Sequence, residues 1–258
     1  SETPVHPSES VKGEIEFDHV SFAYPEAGEN VLTDISFKAK KGQTIAVIGS
    51  TGSGKSTLIN LIPRYYDVTK GSVKVDGVDV RDMTQKELRD KLGYVPQKGV
   101  LFSGTIDSNI RYGKPEITDA QVKEAAEVAQ ATEFIDTKPE KYKSPVSQGG
   151  TNVSGGQKQR LSIARAIAKD PEIFIFDDSF SALDFKTDSQ LRKALKEYTK
   201  DATTVIVAQR ISTILGADQI IVLDDGHMAG IGTHKELMAN CEVYQQIARS
   251  QLSEEELA

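Results

Sequence analysis

The stretch GSTGSGKST, residues 49–57, decides how the rest of the chain is read. It follows a continuous apolar run, TIAVIG (44–49), which has the composition of a parallel strand buried on both faces. It precedes residues 55–62, which read as a helix stopped at Pro63. Strand, glycine-rich turn and helix in that order are the setting in which Gly49-x4-Gly54-Lys55-Ser56 holds phosphate. The glycines let backbone N–H groups turn inward, and the helix N-terminus adds positive potential. Lys55 is expected to reach the outer phosphates of a nucleotide and Ser56 to ligate Mg2+. Ser50, Thr51, Gly52, Ser53 and Thr57 complete the expected cradle. A flexible Gly/Ser linker would need neither the strand nor the helix.

Working outward, the chain alternates strands and helices. EIEFDHVSFAY (14–24) and VLTDISFKAKKG (31–42) alternate apolar and polar residues like half-exposed strands, and SVKVDGVDV (72–80) carries an Asp-Gly hairpin signal. TDAQVKEAAEVAQA (118–131) reads as a helix capped by Thr118, and GGQKQRLSIARAIAK (155–169) as another. The strand EIFIFD follows, then a helix over 187–199, strands TTVIVA (203–208) and QIIVLDDG (219–226), and C-terminal helices. This layout predicts an α/β fold: a parallel-sheet core, an antiparallel β sheet at the start and a helical insertion in the middle.

Composition narrows the function classes. With 258 residues, 38% hydrophobic and 27% charged, the chain reads as an ordinary globular one. A net charge of −7 argues against a broad nucleic-acid surface, so any polyanion is caught by a local site. A single cysteine, Cys241, excludes an internal disulfide framework. No apolar run approaches the ~20 residues that span a bilayer. Residues 1–12, rich in Pro, Ser and Glu, read as a linker ahead of one domain over 13–258. His227 and His234 read as surface residues, and SEEELA (253–258) as a solvated helix end.

The segment VSGGQKQRLSIARAIAKDPEIFIFDDSFSALD (153–184) resembles the signature helix, Walker B strand and D-loop of ATP-binding cassette (ABC) proteins, and the resemblance runs from Gly13 onward. It implies a P-loop NTPase core with a helical subdomain over about 98–168. It also implies a head-to-tail dimer in which Ser154, Gly155, Gly156 and Gln157 close over ATP held by a second nucleotide-binding domain. By the same resemblance Tyr24 stacks on adenine, Asp177 holds the metal, Gln97 touches metal or attacking water, and Asp184 belongs to the nucleotide-contacting set. Val153 stands where the family usually has Leu. GVLFSGTIDSNIRYG (99–113) resembles exporters, which implies coupling helices of a transmembrane domain as partner and a place on the cytoplasmic side of the cell membrane. VSQGG (146–150) resembles the exporter X-loop, with Gln148 where Glu is usual.

Two positions depart from the hydrolytic pattern. The family places Glu after the Walker B aspartate and His at the switch; here these are Asp178 and Gln209. Asp is shorter than Glu by about 1.5 Å, and a ~1 Å misplacement of a reacting group can cost about 10²-fold in rate. Gln209 can hydrogen-bond a phosphate oxygen but cannot become a cation. The pair resembles the degenerate-site subunit of a heterodimeric bacterial ABC exporter. Two other readings stay open: a homodimeric exporter domain with Asp178 as a working base, and a soluble ABC protein acting as an ATP-gated dimerisation switch.

Overall fold

Alternating buried and exposed side chains start the fold at β1 (Ile15–Phe22) and β2 (Leu32–Ala39), paired antiparallel with Ile15 opposite Ala39 and Phe17 opposite Phe37. The two Phe rings stack at 4.6 Å. The buried strand β3 (Thr44–Gly49) leads through the glycine-rich loop into α1 (Lys55–Asn60). That helix ends two residues before the expected point, because Leu61 and Ile62 donate three residues back in a tightened final turn. β4 (Lys70–Val75) pairs with the other side of β1 and turns at Asp76-Gly77 into β5 (Val78–Asp79). Both turn residues have positive φ, 53° and 76°, as a two-residue hairpin turn of the primed type requires. The antiparallel sheet runs β2-β1-β4-β5, and α2 (Gln85–Asp90), capped by Thr84, follows it.

This computed structural model describes Val5 and residues 11–253, in two compact units: Ser1–Leu92 with Ala202–Ala258, and Gly93–Asp201. Most of the linker expected over 1–12 and of the acidic end 253–258 lies outside the described residues.

The second unit opens with β6 (Leu92–Val95), β7 (Gly104–Thr105), α3 (Ile106–Ile110), α4 (Asp119–Val128) and α5 (Thr132–Asp136). It continues with β8 (Pro145–Val146), α6 (Gly155–Ala168), β9 (Ile173–Asp177) and α7 (Phe185–Tyr198). Thr105, Thr118 and Ser154 each close a reciprocal capping box at the start of α3, α4 and α6. The second half of α6 is apolar nearly all round and its Leu161, Ile163, Ala164 and Ile167 are buried, as befits a helix packed against both α3 and α4. β9 and β6 lie side by side, and Asp184 starts α7 two residues earlier than the sequence suggests by capping it. The short β7–β8 pairing is not legible in the sequence.

The chain returns to the first unit with β10 (Thr203–Val207), β11 (Gln219–Asp224), β12 (His227–Gly232), α8 (His234–Asn240) and α9 (Glu242–Gln251). β3 lies parallel between β10 and β11, and β12 runs antiparallel on the outside of β11. The sequence reading passes from 226 directly to helices and misses β12, whose residues alternate between exposed and half-buried and carry little β-forming character. Leu237, Tyr244 and Ala248 of α8 and α9 are buried against Ala46, Ile48, Ile220 and Val222. This packing corrects the surface assignment of His234: it is half-buried, and its Nδ1 lies 2.6 Å from the Tyr244 hydroxyl. His227 is exposed, as expected.

Tyr244→Phe keeps the packed ring and removes the hydroxyl that meets His234, so stability is expected to fall by about 1–2 kcal/mol. The check is a lower urea midpoint at unchanged m-value. Burial pushes the Tyr244 hydroxyl up to about 12, above its ordinary 10.0. A folded value above the unfolded one means that this contribution is complete below pH 10 and is lost as pH rises towards about 12. That alkaline loss is expected in the wild type and absent from Tyr244→Phe.

Candidate functional site

In the first unit the residues of the glycine-rich stretch are brought together as a cradle. A Cβ on Gly49 would stand 2.5 Å from both the Leu223 carbonyl and Ser53 Oγ, so no other residue fits at the end of β3. Gly54 has φ +104°, and a Cβ there would meet Leu32 Cδ2 at 2.8 Å. Between them the Ser53 N–H donates to the Ser50 carbonyl at 3.1 Å, closing the loop on itself. The Lys55 ammonium donates to the carbonyls of Gly49 (2.5 Å) and Ser50 (3.1 Å) and is thereby held over the loop. Ser56 is exposed on the first turn of α1, while Thr57 points inward. Ser53 Oγ is buried with no hydrogen-bond partner among the described residues. A loop without room for a Cβ at Gly49 or Gly54, an orphaned hydroxyl and an ammonium at the rim fit a bound phosphate chain.

Support for this loop comes from residues that sequence reasoning missed. The Gly226 N–H donates to the Ser53 carbonyl at 3.0 Å and its own carbonyl accepts from Thr33 at 2.9 Å, so the β11–β12 turn props the loop against β2. An Asp-Gly pair at 225–226 was the available signal. The Tyr24 hydroxyl lies 2.7 Å from Thr57 Oγ1, and its ring packs edge-on with Phe22 and Tyr66. Gln209 is exposed just after β10. Its carbonyl accepts from Gln251 Nε2 at 2.8 Å, while Gln251 Oε1 accepts from the Ile211 N–H at 2.8 Å.

The second unit carries the carboxylates. Asp177 ends β9 half-buried and Asp178 follows at φ 50°, the left-handed region that a non-glycine residue enters at a cost of about 1 kcal/mol. Gln97 Nε2 donates to Asp178 Oδ2 at 3.3 Å, so two expected site residues meet. The buried Ser179 hydroxyl donates to the Val95 carbonyl at 2.7 Å and locks the end of β9 to the end of β6. That serine was not singled out in the sequence.

Ser154, Gly155, Gly156 and Gln157 open α6 at an exposed or half-exposed helix end. Ser154 Oγ accepts from the Gln157 N–H at 3.2 Å, and Gly155 has open space where a Cβ would stand. Asp184 caps α7, accepting from Thr187 N at 2.8 Å and Thr187 Oγ1 at 2.9 Å, and those hydrogen bonds hold its carboxyl below the usual range. The segment 99–113 is held together by its own side chains and by Arg165. Asn109, buried, donates to the carbonyls of Phe102 and Thr105 at 2.9 Å and accepts from Phe102 N at 2.8 Å. Arg165 donates to the carbonyls of Val100 (2.8 Å) and Asn109 (2.9 Å) and to Asn109 Oδ1 (3.0 Å), beneath the stacked rings of Phe102 and Tyr112. Burial lowers Arg165 to about 10, which leaves it charged at neutral pH.

A glycine cradle at the end of a buried parallel strand defines the fold as that of a P-loop NTPase with a mixed sheet, an antiparallel β subdomain and helices. More narrowly, the chain belongs to the ABC transporter family, whose sequence profile matches residues 32–181. It is 47% identical over 253 residues to an uncharacterized ABC transporter ATP-binding protein of Mycobacterium tuberculosis, covering 97% of this chain and 43% of that protein. A Staphylococcus aureus protein named for multidrug export as an ATP-binding/permease protein is 46% identical over 241 residues, covering 93% of this chain and 42% of its own length. A solved bacterial Atm1-family ABC exporter with ATP bound superposes with TM-score 0.91 at 38% identity, over 98% of this chain and 44% of that one. The chain thus spans less than half the length of these relatives.

Arg165→Met would leave the Val100 and Asn109 carbonyls without their charged donor. A loss of about 2–4 kcal/mol is expected, read as a lower urea midpoint together with a weakened near-UV signal from Phe102 and Tyr112.

Proposed function

We propose that this chain is the ATP-binding domain of an exporter, working head-to-tail with a different nucleotide-binding chain. In this reading its own site holds MgATP and turns it over slowly, while Ser154, Gly155, Gly156 and Gln157 complete the partner's competent site. The observation that carries it is the pairing of an intact cradle with an altered catalytic set. Gly49, Gly54 and Lys55 have the geometry of a phosphate site, whereas Asp178 stands where a longer carboxylate would be needed and Gln209 where a titratable ring would be.

Each residue has a role that its chemistry allows. Lys55 and the loop N–H groups other than that of Ser53 would bind and orient the phosphates, and Tyr24 would offer a ring to the base. Ser56, Gln97 and Asp177 would hold Mg2+, their oxygen donors being of the kind this ion takes alongside phosphate and water. Bound there, the ion would neutralise charge on the phosphates. Asp178 would accept a proton from the attacking water with a shorter reach than Glu, and its Oδ2 accepts a hydrogen bond from Gln97. Gln209 would hydrogen-bond a phosphate oxygen without supplying a proton. Asp184, fixed as a helix cap, stands ready at the partner-facing D-loop.

The helical subdomain, about 98–168, would receive the coupling helices of a transmembrane domain on the cytoplasmic side of the membrane. The exposed Phe102 and Tyr112, stacked on one another, with Val100 exposed in the same segment, support that docking. Among the described residues no helix is long and apolar enough to cross a membrane itself. The linker over 1–12 would lead from that membrane domain into the domain at 13–258.

The chain alone is expected to bind MgATP but to hydrolyse it about 10²-fold more slowly than a Glu/His-bearing relative. Asp178→Glu should restore little without Gln209→His, because the two groups act on one transition state. Fast turnover by the chain alone, lost on Asp178→Asn, would instead favour the homodimeric reading.

In the mixed dimer Gly155→Asp sets a carboxylate, in open space, against the partner's γ-phosphate and should abolish phosphate release. Lys55→Ala should weaken nucleotide retention at this chain's site and spare much of the hydrolysis. The reverse pattern, with bound ATP and released phosphate measured separately, would defeat the division of labour.

A further inference from the structure

We infer that Gln251, at the end of the C-terminal helix, is a positioning residue for Gln209, and that α9 thereby sets the switch of this nucleotide site. The inference rests on the ATPase reading for its consequence, though not for its geometry. Arg210 is extended, with φ −98° and ψ 124°, so the Gln209 carbonyl and the Ile211 N–H face the same side of the segment. The Gln251 carboxamide meets both: Nε2 donates to the Gln209 carbonyl and Oε1 accepts from the Ile211 N–H, each at 2.8 Å. One side chain thus does what a neighbouring strand would do, and its donor and acceptor each face the opposite kind of group.

The clamp is anchored at both ends. α9 is held by Tyr244 and Ala248, both fully buried, and Leu252 N closes its last turn on the Ala248 carbonyl at 2.8 Å. Ile211, on the other side, is itself fully buried. Between these fixed points Gln209 keeps an exposed side chain on a backbone that has lost its freedom. A side chain that only hydrogen-bonds phosphate depends on placement, having no charge to act over distance. The C-terminal helix supplies that placement.

The test uses the whole chain with Gln251→Leu, an exposed position where substitution leaves the core intact. Two readouts are taken: hydrogen exchange of the Ile211 amide, and single-turnover cleavage of γ-labelled ATP in the wild-type and Gln209→Ala backgrounds. Exchange at Ile211 should rise about fivefold, the loss of one hydrogen bond. Cleavage should slow about tenfold in the wild-type background and not slow further in Gln209→Ala, with MgATP affinity unchanged. Unaltered exchange at Ile211 would overturn the clamp. Accelerated exchange with equal slowing in both backgrounds, or with none, would overturn the positioning role. Absence of cleavage in every variant, with exchange still accelerated, would fault the ATPase reading while upholding the clamp.

Discussion

The close approach at Gly49 is the constraint on which the first unit depends. The Leu223 carbonyl and Ser53 Oγ each stand 2.5 Å from where a Cβ would be, so β3 and β11 can run side by side up to the loop only if that residue has no side chain. Gly54 makes the complementary demand five residues on, with a left-handed backbone pressed against Leu32. Between these two points the loop closes on itself, the Ser53 N–H donating to the Ser50 carbonyl. Lys55 then reaches back over the opening, and Gly226 fastens the loop from beneath. The shape of the glycine-rich loop is therefore set by packing restrictions in β2, β3 and the β11–β12 turn as much as by the loop's own residues.

The second unit solves a different problem, that of holding many short elements in place with few residues each. α3 and α5 have five residues apiece, too few to be stable alone. Capping boxes at Thr105, Thr118 and Ser154 satisfy the helix starts, and Asn109 with Arg165 gathers the carbonyls of the 99–113 stretch. The same guanidinium carries the exposed pair Phe102 and Tyr112, so the surface proposed to meet a membrane domain rests on a half-buried charge. Ser154 has two duties, capping α6 now and facing a nucleotide on the partner in the dimer proposed above.

Much was legible because it depends on local chemistry. Gly49 to Thr57 after a buried apolar run specified a tight glycine turn from β3 into α1, since the run needs a buried strand and the glycines a close-packed turn. The Asp76-Gly77 hairpin, the Thr118 cap and the start of α6 were readable from residues adjacent in sequence. So was the absence of Glu and His at positions 178 and 209, which is a property of the residues themselves. The ABC family was legible as a resemblance carried by residues 153–184.

What only the tertiary structure decided involves partners distant in the chain. β12 carries little strand character and forms because β11 offers it an edge; His234 is half-buried because Tyr244, ten residues later, lies over it. The Gln97–Asp178 contact spans 81 residues and the Gln251–Gln209 contact 42, and no local pattern marks either pair. A glutamine near a chain end looks like any solvated side chain until the fold brings an extended backbone beside it. Sequence determines which groups are available and how each short segment turns; packing determines which of them meet, because hydrogen bonds of 3 Å are set by the whole path of the chain between them.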